Sequence, residues 1–301
     1  MPPYLGETHE SACSFLASAK TILENFKNPL EPEPVLAEIE KIAPGNTAAK
    51  AAVDIALHDL KGQLLKQPCY KFWGLDIQKI PPTSFTIGIS TDERSIEQKI
   101  KDARQYKILK IKLGSSNDKK IIEVIRKFTD KPISVDVNQG WTDKYFVLDM
   151  IHWLKEENVL FVEQPLKKEN VEDMVWITER SPLPTIADES CQRLPDIEKL
   201  AGAFSGINIK LMKCTGMNEA RKMMVLAKKW GMKILIGCMS ETSCAISAAA
   251  HLSPLADWAD LDGPLLIRKD YFSGIKFSEG KIALNDLPGL GLTPAENMFD
   301  D

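Results

Sequence analysis

The chain has 301 residues, 38 of them Lys or Arg and 42 Asp or Glu, giving a formal net charge of -4; 44% are hydrophobic and 27% charged. That balance is ordinary for a soluble globular protein and leaves no basic stripe of the kind that follows a nucleic-acid backbone. The length exceeds one ordinary domain but suits a single α/β barrel with a small appendage. The six cysteines (Cys13, Cys69, Cys191, Cys214, Cys238, Cys244) form no CxxC pair or zinc spacing and read as reduced cytosolic thiols. The opening MPPYLGETHE lacks a signal pattern, and no run approaches about 18 apolar residues. A cytoplasmic protein is expected, with a small-molecule partner, no nucleic acid and no membrane, and with homo-oligomerisation left open.

In chain order, residues 10–26, 33–42 and 47–65 have helical period, the last an Ala-rich amphipathic stretch. From Pro81 the pattern changes to short β-branched runs alternating with longer amphipathic segments, as expected of βα units around a parallel sheet. The runs are SFTIGIS, ILKIKLG, ISVDVN, VLFVEQP, PTIADES, GINIKLM, KILIGCM and WADLDGP, with helices expected over 95–106, 119–128, 143–156, 171–180, 196–201, 217–230 and 242–252. Eight strands and seven helices follow, then IKFSEGKIAL, two alternating runs around Glu279-Gly280 that read as a β-hairpin. A doubly wound open sheet is the rival architecture, but no strand is followed by GxGxxG. The expected fold is therefore α/β, a (β/α)7β TIM-like barrel over 81–264, with a small and apparently truncated capping domain over 1–80 and a C-terminal segment, 265–301, whose hairpin returns to it.

In such barrels the chemistry sits at the carboxyl ends of the strands. Residues i and i+2 share a face, so Lys110 and Lys112 point the same way. If that way is inward, burial and like charge depress their pKa values towards that of a usable base; if outward, they flank Ile111 in solvent. The next three strands end in Asp136, Glu163 and Asp188. Three converging carboxylates repel one another unless a hard cation such as Mg²⁺ lies between them. Asn138 and Glu189 sit close enough to orient such ligands. Strand six supplies Lys210, which in an eight-stranded ring lies opposite Lys112, so that one base can take a proton from a carbon and the other return one to its opposite face. Strand eight ends in Asp260-Leu261-Asp262, a pair suited to a substrate ammonium or, alternatively, two ordinary turn aspartates.

Taken together, KIKLG, DVNQGW, VEQP, ADES, NIKLMK and GCMSE, in that order, resemble the enolase superfamily, in particular its muconate-lactonizing-enzyme-like branch and within it the dipeptide epimerases. The resemblance implies Asp136, Glu163 and Asp188 as Mg²⁺ ligands, Lys112 and Lys210 as the two acid/base lysines, Lys110 against the substrate carboxylate and Asp260 with Asp262 against its ammonium. Thr86, Cys238 and Ser240 would line the substrate site. The implied reaction is epimerisation of a dipeptide, L-Ala-D/L-Glu being the commonest type, at the α-carbon of its C-terminal residue through an enediolate. The four histidines fall outside the strand ends, which speaks against a Lys/His base pair.

Relatives of this type begin with an additional antiparallel sheet whose loop covers the active site, whereas LGETHES resembles the point where that sheet gives way to helices. A shortened lid bears on activity, since lids exclude water and complete a site. The alternatives are an o-succinylbenzoate synthase or muconate cycloisomerase-like reaction at the same site, a Schiff-base aldolase, and an inactive family member that only binds ligand.

Overall fold

The structure, a computed structural model, describes residues 5–295. The outermost residues of the first and last expected regions, 1–4 and 296–301, lie outside it. Helix α1 (His9–Glu24) starts at Thr8, whose hydroxyl accepts the Ser11 N–H while the Ser11 hydroxyl oxygen accepts that of Thr8, a reciprocal cap. It packs with α2 (Glu33–Lys41) and α3 (Thr47–Leu65) around Phe15, Val35, Ile39, Val53 and Leu57, a core of their own. The short α4 (Cys69–Phe72) follows.

The chain then alternates: β1 (Ser84–Ile87), α5 (Glu93–Asp102), β2 (Ile108–Lys112), α6 (Asp118–Arg126), β3 (Ile133–Asp136), α7 (Lys144–Glu156), β4 (Val159–Glu163), α8 (Val171–Thr178), β5 (Thr185–Ala187), α9 (Asp196–Leu200), β6 (Gly206–Lys210), α10 (Met217–Lys229), β7 (Lys233–Gly237), α11 (Ser243–Leu252) and β8 (Trp258–Asp260). The strands pair in parallel in sequence order, β1 to β8. Closure comes from a parallel bridge between Thr83 and Ala259 and from the Leu261 N–H, which donates to the Thr83 hydroxyl at 2.8 Å. The fold is the expected α/β barrel. No helix among the described residues is long and apolar enough to cross a membrane.

Helices cover the sheet because each presents an apolar stripe; α6 buries Ile121, Ile122, Val124 and Ile125. The segment expected to be helical over 95–106 differs at both ends: Asp92 accepts the Ser95 N–H at 3.1 Å and starts the helix early, and the chain turns out after Asp102 so that Tyr106 is buried.

Side-chain alternation stacks the barrel interior in layers. Two residues before Glu163, Asp188, Gly237 and Asp260 stand Phe161, Ile186, Leu235 and Trp258, which form a separate cluster with Phe161 and Trp258 ring centres 4.7 Å apart. This apolar layer floors the polar one above it. Beyond β8, β9 (Phe272–Ser273) pairs with β12 (Thr293–Pro294), and β10 (Lys276–Ser278) with β11 (Lys281–Ala283) in the expected hairpin. Its turn, Glu279 at φ 50° and Gly280 at φ 73°, has the two left-handed residues a tight hairpin requires. The hairpin itself packs at the amino ends of the strands, where Gly280 O accepts the Thr83 N–H at 2.8 Å. The return to the helical region is made by the segment after it: Leu290 N donates to Asp59 of α3, and Gly289 O accepts the Cys69 N–H.

Candidate active site at the carboxyl ends of the strands

Strand register places the polar residues side by side. Lys112 pairs with Asp136 and Asp136 with Glu163; on the far side Lys210 pairs with Gly237 and Gly237 with Asp260. Carboxylate oxygens of Asp136, Glu163 and Asp188 all lie within 4.8 Å of one another, and all three side chains are buried. Lys112 Nζ donates to Asp136 Oδ2 at 2.7 Å and to Asn138 Oδ1 at 3.1 Å. Lys210 Nζ donates to Asp188 Oδ2 at 2.7 Å. Asn138 also reaches Glu189 Oε1 at 3.4 Å, and its N–H donates to Asp136 Oδ1 at 3.0 Å.

Lys110 departs from the expectation for a buried like-charged pair. Its Nζ lies 2.7 Å from Asp260 Oδ2, 2.8 Å from Glu163 Oε2 and 3.1 Å from Asp136 Oδ2. Burial alone would depress its pKa, but Asp136, Asp260 and Glu163 outweigh that and hold it well above the usual lysine value. Lys110 is a fixed cation in the floor of the site. Lys112, one pleat higher and with its side chain 30% exposed, is the more accessible of the two.

The carboxylates respond to their neighbours. Burial would raise Asp188, yet Lys210 and Lys213 hold it far below the ordinary carboxylate range. Glu163 is pushed up to about 7 by burial and by Asp136, against the pull of Lys110. Its Oε1 accepts the Asn208 amide at 2.7 Å, and Oε2 faces the Lys110 ammonium at 2.8 Å. An oxygen-only trio whose atoms converge within 4.8 Å suits a hard divalent cation.

The strand-eight aspartates are both buried but not equivalent. Asp260 accepts Ser84 Oγ at 2.6 Å and Lys110 Nζ at 2.7 Å. Asp262 accepts the Thr86 N–H at 2.7 Å, and burial together with Asp260 pushes it up to about 6. Thr86 is thereby brought to the site. Cys238 borders it with a thiol that burial pushes well up, while Ser240 is exposed on the following loop.

Three neighbours escaped the sequence reading. Asn208 and Ser84 stand two residues before Lys210 and Thr86 and were accessible to the same alternation rule, but are not titratable. Lys213 lies past the end of β6, where alternation assigns no face. Its Nζ donates to Asp188. A small residue is also required beside Lys210: a Cβ on Gly237 would lie 2.5 Å from Asn208 Oδ1.

Comparison with known proteins bears on this geometry. The family profile described as "Enolase C-terminal domain-like" matches residues 89–298, and the "Mandelate racemase / muconate lactonizing enzyme, N-terminal domain" profile matches residues 26–74. An L-Ala-D/L-Glu epimerase from Bacteroides thetaiotaomicron is 57% identical over 293 residues, 97% of this chain and 76% of the relative. The crystal structure of an N-succinyl Arg/Lys racemase from Bacillus cereus superposes with a TM-score of 0.90 at 30% identity, over 97% of this chain and 82% of that one. A dipeptide epimerase from Cytophaga hutchinsonii, complexed with Mg and the dipeptide D-Ala-L-Val, gives a TM-score of 0.88 at 26% identity, over 97% and 82%.

Proposed function

The chain belongs to the mandelate racemase/muconate lactonizing enzyme branch of the enolase superfamily, and from that premise we propose that it epimerises dipeptides, L-Ala-D/L-Glu first among them, at the α-carbon of the C-terminal residue. The observation that carries this reading is the placement of Lys112 and Lys210. They sit on β2 and β6, four strands apart in an eight-stranded ring and so on opposite sides of it, each bonded at 2.7 Å to a different carboxylate of the acidic trio.

Asp136, Glu163 and Asp188 would hold Mg²⁺, which when bound supplies a Lewis acid for the negative charge developing on the substrate carboxylate. The chain's own residues do the rest. Asp262, with Asp260 behind it, faces the dipeptide ammonium and fixes which end of the substrate enters. Lys110, held by three carboxylates, keeps the floor from becoming too negative to accept a carboxylate.

Thr86 and Cys238 line the approach, with Ser240 at its edge. A turnover begins with one of Lys112 and Lys210 neutral and the other an ammonium. The neutral lysine takes the α-proton, the ammonium opposite returns one to the other face, and their protonation states are exchanged at the end. Asn138 and Glu189 hold Lys112 and Asp136 in place for this step. The helices that precede β1 form a capping region beside the barrel, and the six free thiols among the described residues accord with a cytoplasmic setting.

The strand-eight aspartates weigh against o-succinylbenzoate synthesis and muconate cycloisomerisation, whose substrates offer no ammonium. Incubation of L-Ala-L-Glu with the protein and Mg²⁺, followed by chiral analysis of the hydrolysed glutamate, tests the reading. D-glutamate is expected. Its absence, with turnover of a succinylbenzoate precursor, would overturn it.

A further inference from the structure

We propose that Lys213 is the positioning residue that fixes Asp188 in the orientation a metal ligand needs. The inference rests on the reading of Asp188 as one of three Mg²⁺ ligands and deepens it. Lys213 is only 1% exposed, among the largest fully buried side chains among the described residues. Its Nζ donates to Asp188 Oδ1 at 2.5 Å and to the carbonyl of the same residue at 2.7 Å. It also reaches the carbonyls of Cys191 at 2.9 Å and Asn208 at 3.0 Å. An ammonium has three N–H bonds, so four acceptors saturate it and no donor is left for a substrate. Lys213 is therefore no third base.

The four acceptors come from three places: the end of β5, the turn that follows it, and β6. Because one ammonium grips both the backbone and the carboxylate of Asp188, rotation of that carboxylate away from the cluster breaks the Oδ1 bond while the carbonyls keep Lys213 where it is. The other oxygen, Oδ2, then faces Lys210 at 2.7 Å. Lys213 stands behind the carboxylate and Lys210 in front of it. Partners that orient a metal ligand in this way typically contribute about 10–100-fold to metal affinity. A charge effect has the opposite sign: deleting a cation beside a ligand tightens binding of another cation.

Calorimetric titration of Mg²⁺ into the substrate-free protein separates the two, using wild type, Lys213→Met and Lys50→Met. Lys50 is a second buried lysine, bonded to the Ala43 carbonyl at 2.8 Å and to Glu40, in the helical region. The expected result is Mg²⁺ binding weakened about 10–100-fold in Lys213→Met, and a lowered melting temperature with unchanged Mg²⁺ affinity in Lys50→Met. Unchanged or tighter binding in Lys213→Met overturns the proposal, as does a wild type that binds no Mg²⁺. If Lys213→Met does not fold, Lys213→Arg decides: a planar guanidinium cannot meet the same four oxygens, so binding must weaken several-fold, and wild-type affinity there overturns it. Failure of the protein to turn over any dipeptide would sink the epimerase reading without touching this one.

Discussion

Lys210 and Asp188 meet at 2.7 Å across neighbouring strands, and Lys112 and Asp136 meet at the same distance on the other side of the barrel. Each proposed base is thus tethered to a proposed metal ligand. Metal and lysines cannot be treated as separate sites, because Asp136 and Asp188 face both.

Chelation follows directly. With EDTA, exchange of the substrate α-proton with solvent deuterium, followed by proton NMR, is expected to fall below detection and to return when Mg²⁺ is restored. Exchange that persists in EDTA would separate the chemistry from the acidic trio.

Asp262 carries the clearest pH signature. Its carboxyl is pushed up to about 6 by burial and by Asp260. Below that pH it is neutral, and an ammonium ligand loses its charged partner. KM for a dipeptide is expected to rise as pH falls through about 6 while kcat changes less. Asp262→Asn should raise KM at neutral pH by about 10–100-fold, the equivalent of one charge-assisted hydrogen bond of roughly 1.5–3 kcal/mol, and should abolish that rise. A wild-type KM flat from pH 5 to pH 8 would remove Asp262 from ammonium recognition.

The barrel scaffold was legible because its signal is local. The ends of strands two to six were readable from short β-branched runs followed by a polar side chain, and that shared position put Lys112, Asp136, Glu163, Asp188 and Lys210 at one end of the barrel. What stayed hidden depends on partners far along the chain. Lys110 read as a lysine whose pKa burial and like charge would depress towards that of a base. Its behaviour is set by Asp136, Asp260 and Glu163, and no local pattern links it to Asp260, 150 residues later. The role of Lys213 likewise depends on where the turn after β5 places Asp188 and Cys191.

His251 gives a stability prediction independent of the reaction. It is buried in α11, its Nδ1 accepts the Tyr70 N–H at 3.2 Å, and burial depresses it from 6.5 to about 4. Between those values the unfolded chain holds a proton that the folded one does not, so stability is lost as pH falls from about 6.5 towards about 4, by up to roughly 3 kcal/mol. The gap between thermal melts of wild type and His251→Gln should be widest and constant above pH 6.5 and should narrow as pH falls towards about 4. Parallel curves would mean that His251 titrates normally in the fold.

The most direct test of the two-lysine arrangement is α-proton exchange in deuterium oxide, with Mg²⁺ present, for L-Ala-L-Glu and L-Ala-D-Glu separately on Lys112→Ala and Lys210→Ala. Each variant is expected to lose exchange of one epimer, keep that of the other, and interconvert neither, because the remaining lysine still reaches one face of the carbon. A variant that still epimerises, or that exchanges both epimers at the wild-type rate, would contradict a mechanism with one base on each side of the barrel.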